Sequence, residues 1–221
     1  MNMAAAVILA RGGSKGIPRK NLRKVCHTTL VSLAVQAARA AGAIEKVYVS
    51  TDDKQIAAEA VCSKAEVIWR PKELATDEAR SDDALRHALE YVDVSCDVIV
   101  LIEPTTLPHV PRDIDRAVRA IDDDHADSAI VVKQRTVFLW RRRRDGYGVP
   151  VNQLHGARRE IADVEYEVTG SCYAVRRAEL IRTGCVVCGR VALVERVVPF
   201  VDIDEPIDLA MAEALVRELT R

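Results

Sequence analysis

The sequence has no excess of either charge. Its 221 residues carry 33 acidic and 32 basic side chains, a formal net charge of −1. Nothing in that balance suits a general nucleic-acid binder. Aromatic residues are scarce at 4%, beside 49% hydrophobic and 29% charged residues, and this composition excludes disorder, collagen and coiled coil. No apolar run approaches the ~20 residues that span a bilayer. The longest compact ones, such as Val98 to Ile102, are strand-sized, so no membrane crossing is expected. No secretory signal is expected, because Met1 to Ala10 is apolar without a basic n-region, runs straight into a glycine-rich loop and reads as a first strand. Six cysteines without such a signal predict reduced thiols and a cytoplasmic protein. Only Cys185 and Cys188 have C-x-x-C spacing. Neither a second pair nor flanking histidines complete a zinc set, and both are read as thiols beside a Gly184 and Gly189 turn.

The length fits one α/β domain over 1–221 with an inserted arm at about 134–167. Apolar runs at Ala4 to Ala10, Val47 to Ser50, Glu66 to Trp69, Val98 to Glu103 and Ser128 to Val132 read as strands. Helical patterns alternate with them: Thr29 to Ala41 ends at Gly42, Asp52 to Cys62 and Ser81 to Tyr91 each open with a capping residue, and a fourth runs from Arg112 to Ile121. This alternation predicts a mostly parallel central sheet with helices on both faces. From Lys133 to Glu167 it fails, and the segment holds four consecutive arginines, Arg141 to Arg144, before an Asp145-Gly146 turn. A hairpin arm is expected there. Gly170 to Val175 and Val197 to Val201 read as two further strands. Asp204 is expected to cap a last helix with Pro206 in its first turn and Leu209, Ala212, Val216 and Leu219 on one face.

The first strand leads into Arg11-Gly12-Gly13-Ser14-Lys15-Gly16-Ile17-Pro18-Arg19-Lys20-Asn21. Glycines let backbone N–H groups approach phosphate oxygens, and four cationic side chains can offset the charge of a polyphosphate. The loop is neither a Walker A loop, lacking the terminal Gly-Lys-Ser/Thr, nor G-x-G-x-x-G, so an ATPase or dehydrogenase is disfavoured. Read alone, it is also compatible with a solvated basic turn. Asp202 and Asp204 flank Ile203 at a strand end, where a period of two points both carboxylates to one side and lets them hold one hard cation. Read alone, Asp204 is equally a helix cap, Ser81 an N-cap and Arg70 a surface cation.

Ala10 to Leu22 closely resembles the nucleotide-binding motif of the acylneuraminate cytidylyltransferases, the CMP-sialic acid synthetases and their nonulosonic acid relatives. The resemblance continues through Val47 to Asp53, Arg70 to Ser81, Glu103 to Thr106, Gly170 to Tyr173 and Val201 to Leu209. It implies a Rossmann-like nucleotidyltransferase fold and CMP transfer from CTP to the hydroxyl of a small acidic or hydroxylated acceptor. It further implies Mg²⁺ (or Mn²⁺) and a homodimer built through the arm. By resemblance, Arg11, Gly12, Ser14, Lys15, Lys20, Asn21, Arg70 and Ser81 hold the nucleotide, and Asp202 and Asp204 the metal. Arg11, Lys20 and Asp202 become the candidate catalytic residues, and Glu103, Thr105, Arg158, Thr169 and Tyr173 the candidate acceptor contacts.

Departures cluster on the acceptor side. Relatives usually have Gln-Pro-Thr-Ser-Pro-Leu-Arg where this chain runs from Glu103 to His109, and Glu160 and Thr169 replace a glutamine and an asparagine. A carboxylate at Glu103 removes two donors and repels an acidic sugar. Sialic acid itself is therefore in question, and a phosphonate or unusual sugar as acceptor, or a silent nucleotide-binding homologue, stay open as readings.

Overall fold

The computed structural model describes residues 3–123, 125–135, 139–151 and 165–219. Seven strands form the central sheet: β1 (Ala4–Leu9), β2 (Ile44–Thr51), β3 (Glu66–Trp69), β4 (Val98–Ile102), β5 (Ser128–Arg135), β6 (Glu165–Arg176) and β7 (Val191–Glu195). They lie side by side as β7-β5-β6-β4-β1-β2-β3. All neighbours pair in parallel except β6, which runs antiparallel to both β4 and β5.

The uninterrupted apolar run of β1 follows from burial on both faces. Ala4, Ala6 and Ile8 pack with α1 (Leu30–Ala40), α2 (Lys54–Cys62) and α4 (Pro111–Asp122). Ala5 and Val7 face α3 (Ser81–Leu89) and α5 (Arg177–Thr183) on the other side. Two helices carry side-chain caps: the Thr29 hydroxyl accepts from the Ser32 N–H, and the carboxylate of Asp53, one residue beyond the expected Asp52, from those of Gln55 and Ile56.

After β1 the chain builds β2 and β3 outward on one side, then returns to place β4 on the other. The carboxyl ends of β1 and β4 therefore flank the point where the winding reverses, and loops diverging there leave a crevice. A third apolar cluster lies beside it. Ile17, Val25, Leu30, Leu107, Ile203 and Ala212 are buried together, with Leu209 and Val216 of α6 (Pro206–Leu219) against them.

Four local expectations are corrected. The strand expected over Val197 to Val201 lies earlier, as β7, and only Val201–Asp202 pairs, antiparallel to Thr106–Leu107. Pro199 has no N–H for a ladder, and Val197 is 81% exposed, so the chain leaves the sheet after Glu195. Helix α5, absent from the sequence reading, begins directly where β6 ends. Arg80, not Ser81, stands at the N-cap of α3, without a side-chain cap bond. Asp204 does not cap α6; the Asp208 carboxylate reaches back and accepts from the N–H groups of Asp204 (2.9 Å) and Glu205 (2.7 Å).

Beyond Val132 the β5–β6 ladder continues outward to the pair Arg135 and Glu165. Trp140–Arg142 then pairs with Gly148–Pro150 around a turn in which Gly146 takes φ 88°, a left-handed conformation that glycine adopts without strain. No helix among the described residues is long and apolar enough to cross a membrane.

Ile203 is fully buried among residues from three separate loops. Replacing Ile203 with Ala is expected to lower unfolding free energy by about 2–5 kcal/mol, read from urea denaturation. A change under about 0.5 kcal/mol, the scale of an exposed site, would show that this cluster does not hold the loops.

Candidate active site

A cleft of about 590 Å³ opens at the carboxyl ends of β1 and β4. The glycine-rich loop supplies Arg11, Ser14, Lys15, Lys20 and Asn21 to its lining. The segment after β3 supplies Arg70 and Ser81, and two further loops bring Glu103, Thr105 and Asp204. Residues up to 196 positions apart in sequence thus meet in one cavity, as Leu9 and Glu205 do.

The glycines are there for close approach. A Cβ on Gly16 would stand 2.5 Å from the carbonyl oxygen of Asp204, so only glycine lets the loop touch the segment carrying Asp202 and Asp204. Gly12 does not line the cleft. Its N–H donates to Asp52 (2.8 Å), and a Cβ there would meet the Cβ of Asp53 at 2.9 Å. Its place is in closing the loop onto the end of β2, where Arg19 also pairs with Asp53 at 2.7 Å.

Arg70 is not the surface cation it resembles in sequence. It is 8% exposed, and its guanidinium donates to the hydroxyl (3.1 Å) and carbonyl (2.8 Å) of Ser50 while lining the cleft. Burial lowers its pKa to about 10, with Asp52 opposing the shift, so it stays cationic at neutral pH. Asn21 is buried too. Its amide donates to the Arg11 carbonyl at 3.0 Å, while its Oδ1 has no hydrogen-bond partner among the described residues. Ser81, as the first residue of α3, exposes its hydroxyl on the cleft wall.

Asp77 was not singled out in the sequence, yet it pairs with both Arg11 (2.7 Å) and Lys15 (3.3 Å). Burial pushes its carboxyl up, but the bonds from those two cations outweigh this and hold it below the usual carboxylate range. It stands where an anionic ligand of the glycine-rich loop would place negative charge. No periodicity marks such a residue, because the segment is an irregular loop.

Lys20 bridges to the opposite wall, donating to the carbonyl of Ile203 (2.7 Å) and to Asp204 (3.0 Å). Asp202 lies next to this bridge, and its Oδ1 is 3.4 Å from the Thr106 hydroxyl. Burial, then the charge of Asp204, raises the Asp202 carboxyl above its ordinary pKa. Glu103 is raised as well, by burial first and then by Asp202. Asp202 and Tyr173 do not themselves line the cleft; burial, with the charges of Glu103 and Asp202, pushes the Tyr173 phenol up to about 12. Thr169 does not line the cleft. It is 2% exposed and donates to the Val131 carbonyl at 2.9 Å inside the sheet. Arg158 lies outside the described residues.

Arg196 also escaped sequence reading, although a cation in the run Val194-Glu195-Arg196-Val197-Val198 signals a buried charge. It is fully buried, donates to the carbonyls of Val198 and Pro108, and lies 3.8 Å from Asp113. It ties the loop after β4 to the segment leading into Asp202. Burial lowers the pKa of nearby His109 to about 4, so that ring is neutral and offers an acidic group no cation.

Asp202 and Asp204 are hard oxygen donors, and the upward shift at Asp202 is one that a cation would relieve. Among the described residues no three His, Cys, Asp or Glu side chains converge on one point. The donor set fits a cation such as Mg²⁺ that takes few protein ligands and completes its shell with phosphate oxygens and water.

Replacing Gly16 with Ala is expected to weaken CTP binding about tenfold or more, measured by titration calorimetry, by forcing the loop off Asp204. The melting temperature should stay within a few degrees, since Gly16 is exposed. Unchanged CTP affinity would rule out this contact as the loop's anchor.

The computed fold is shared with a solved CMP:2-keto-3-deoxy-manno-octonic acid synthetase complexed with CTP, at TM-score 0.75 and 18% identity over 98% of this chain and 99% of that one. The architecture is thus that of a Rossmann-like nucleotidyltransferase. In sequence, the chain is 33% identical over 219 residues to N-acylneuraminate cytidylyltransferase A of Danio rerio, covering 96% of this chain and 50% of that protein. It therefore spans about half the length of that relative. It is 32% identical over 226 residues to the CMP-N,N'-diacetyllegionaminic acid synthase of Legionella pneumophila, covering 96% and 95% of the two chains. Residues 5–147 match the family model described as cytidylyltransferase, and the chain belongs to that family.

Proposed function

We propose that the protein transfers CMP from CTP to the hydroxyl of a nonulosonic, sialic-like acid and releases pyrophosphate. One observation carries the reading: a basic glycine-rich loop meets Asp204 across a single cleft, bridged by Lys20, with Asp202 two residues away on the same segment. The names of the relatives support a sugar acid as acceptor.

The acceptor oxygen forms a bond to the α-phosphorus while the bond from that phosphorus to the bridging β-phosphate oxygen breaks. Charge grows on the departing pyrophosphate, so positioning and charge neutralisation dominate. Arg11, Lys15 and Lys20 face that charge. CTP has to take Arg11 and Lys15 from Asp77, whose ion pairs orient those cations. Arg70 and Ser81 suit a pyrimidine edge, one fixed by Ser50 and the other at a helix start. Asp202 and Asp204 would hold Mg²⁺ (or Mn²⁺), which supplies polarisation of the α-phosphate. Glu103, Thr105 and Tyr173 would contact the acceptor.

The arm supports homodimer formation, since Leu139, Trp140, Tyr147 and Val151 are all exposed on it. The free thiols of all six cysteines fit a reducing, cytoplasmic setting.

With Mg²⁺, pyrophosphate release is expected from CTP but not from UTP, ATP or GTP, across a panel of sialic, legionaminic, pseudaminic, octulosonic and phosphonic acids. Turnover with a phosphonic acid alone would replace the nonulosonic reading. Asp202→Asn should lower kcat by about 10²-fold or more with an unchanged circular dichroism spectrum; full turnover in that variant would remove Asp202 from the mechanism. Light scattering should give a mass near twice that of one chain, and a monomer at micromolar concentration would end the dimer proposal.

A further inference from the structure

Glu103 leaves the carboxyl end of β4 and lines the cleft. Its carboxylate is half-buried, and no hydrogen bond or ion pair from a described residue reaches it. Other carboxylates at the cleft differ: Asp77 holds Arg11 and Lys15, and Asp204 holds Lys20. Glu205 is solvent-exposed. Glu103 instead sits among like charges, with Asp202 and Asp204 acting on it and Lys20 already committed to Asp204 and the Ile203 carbonyl.

A half-buried carboxylate set among like charges and without a protein donor is stabilised by a donor that arrives with what enters the cleft. A triphosphate cannot supply it, being anionic and matched to the cations of the glycine-rich loop. A neutral hydroxyl would satisfy one lone pair and leave the negative charge uncompensated. A cationic amine satisfies both, through a charge-assisted hydrogen bond of the stronger kind.

We infer that Glu103 determines acceptor specificity: the sugar acid that receives CMP presents a protonated amino group to this carboxylate. The inference rests on the cytidylyl-transfer reading above. It divides the cleft by charge, with an anion-binding end for the nucleotide and a cation-binding end for the acceptor's amine.

The test pairs sugar acids that each carry one free amine with their N-acetylated forms, using the full chain with CTP and Mg²⁺. Wild-type kcat/KM, from pyrophosphate release, should favour one free amine over its N-acetyl form by about tenfold or more, carried by the acceptor KM. Glu103→Gln should abolish that preference while KM for CTP stays within about twofold, because the change removes charge and keeps shape. Equal use of both forms by the wild type, or a preference that survives in Glu103→Gln, overturns the inference. So does a shift in the Mg²⁺ requirement of the variant with its preference intact, which would make Glu103 a metal ligand. Release of pyrophosphate with no acid at all, despite CTP binding, defeats the transfer reading and the inference with it, an outcome distinct from transfer that ignores the amine.

Discussion

The site depends on a small apolar contact between loops that otherwise carry charge. Ile17 belongs to the glycine-rich loop, Leu107 to the loop after β4, and Ile203 stands between Asp202 and Asp204; all three are buried in one cluster. Cationic and anionic loops left to solvent would sample many arrangements, since surface ion pairs alone contribute little. Burying one apolar side chain from each fixes their separation. The Lys20 bridge and the backbone bond from the Ile203 N–H to the Thr105 carbonyl (3.0 Å) then set the register.

The charged groups around that anchor are arranged in advance of any ligand. Arg70 is desolvated and held by Ser50, Arg11 and Lys15 are turned inward by Asp77, and Lys20 is stretched across to Asp204. Such groups need little reorganisation when a polyphosphate arrives. Arg196 adds a second, buried layer. By donating to carbonyls on both sides of the crevice floor it joins the β4 loop to the Asp202 segment, at the expense of an N–H left without a hydrogen-bond partner among the described residues.

Much of the frame was legible because its physics is local. Apolar runs buried on both faces gave β1 and β4, and apolar residues at helical spacing gave α1. Three misreadings share one cause, that a competing partner lies far away in sequence. Asp204 looks like a cap, but Lys20 draws its carboxylate off and Asp208 caps instead. Arg70 looks solvent-exposed because its partner is Ser50 on the neighbouring strand. Thr169 looks like a cleft residue, yet its hydroxyl is committed to Val131 across the ladder.

By itself, then, the sequence determined the alternating α/β frame, the basic glycine-rich loop after the first strand and the two aspartates around Ile203. Hydrophobic periodicity and backbone freedom act over a few residues and can be read in order. Only the tertiary structure decided that Asp77 holds the loop's cations, that Gly12 serves the packing of Asp53, and that Glu103 stands in the cleft without a donor. Those facts depend on which side chains desolvation and charge bring within a few ångströms, and that distance is set by the folded chain.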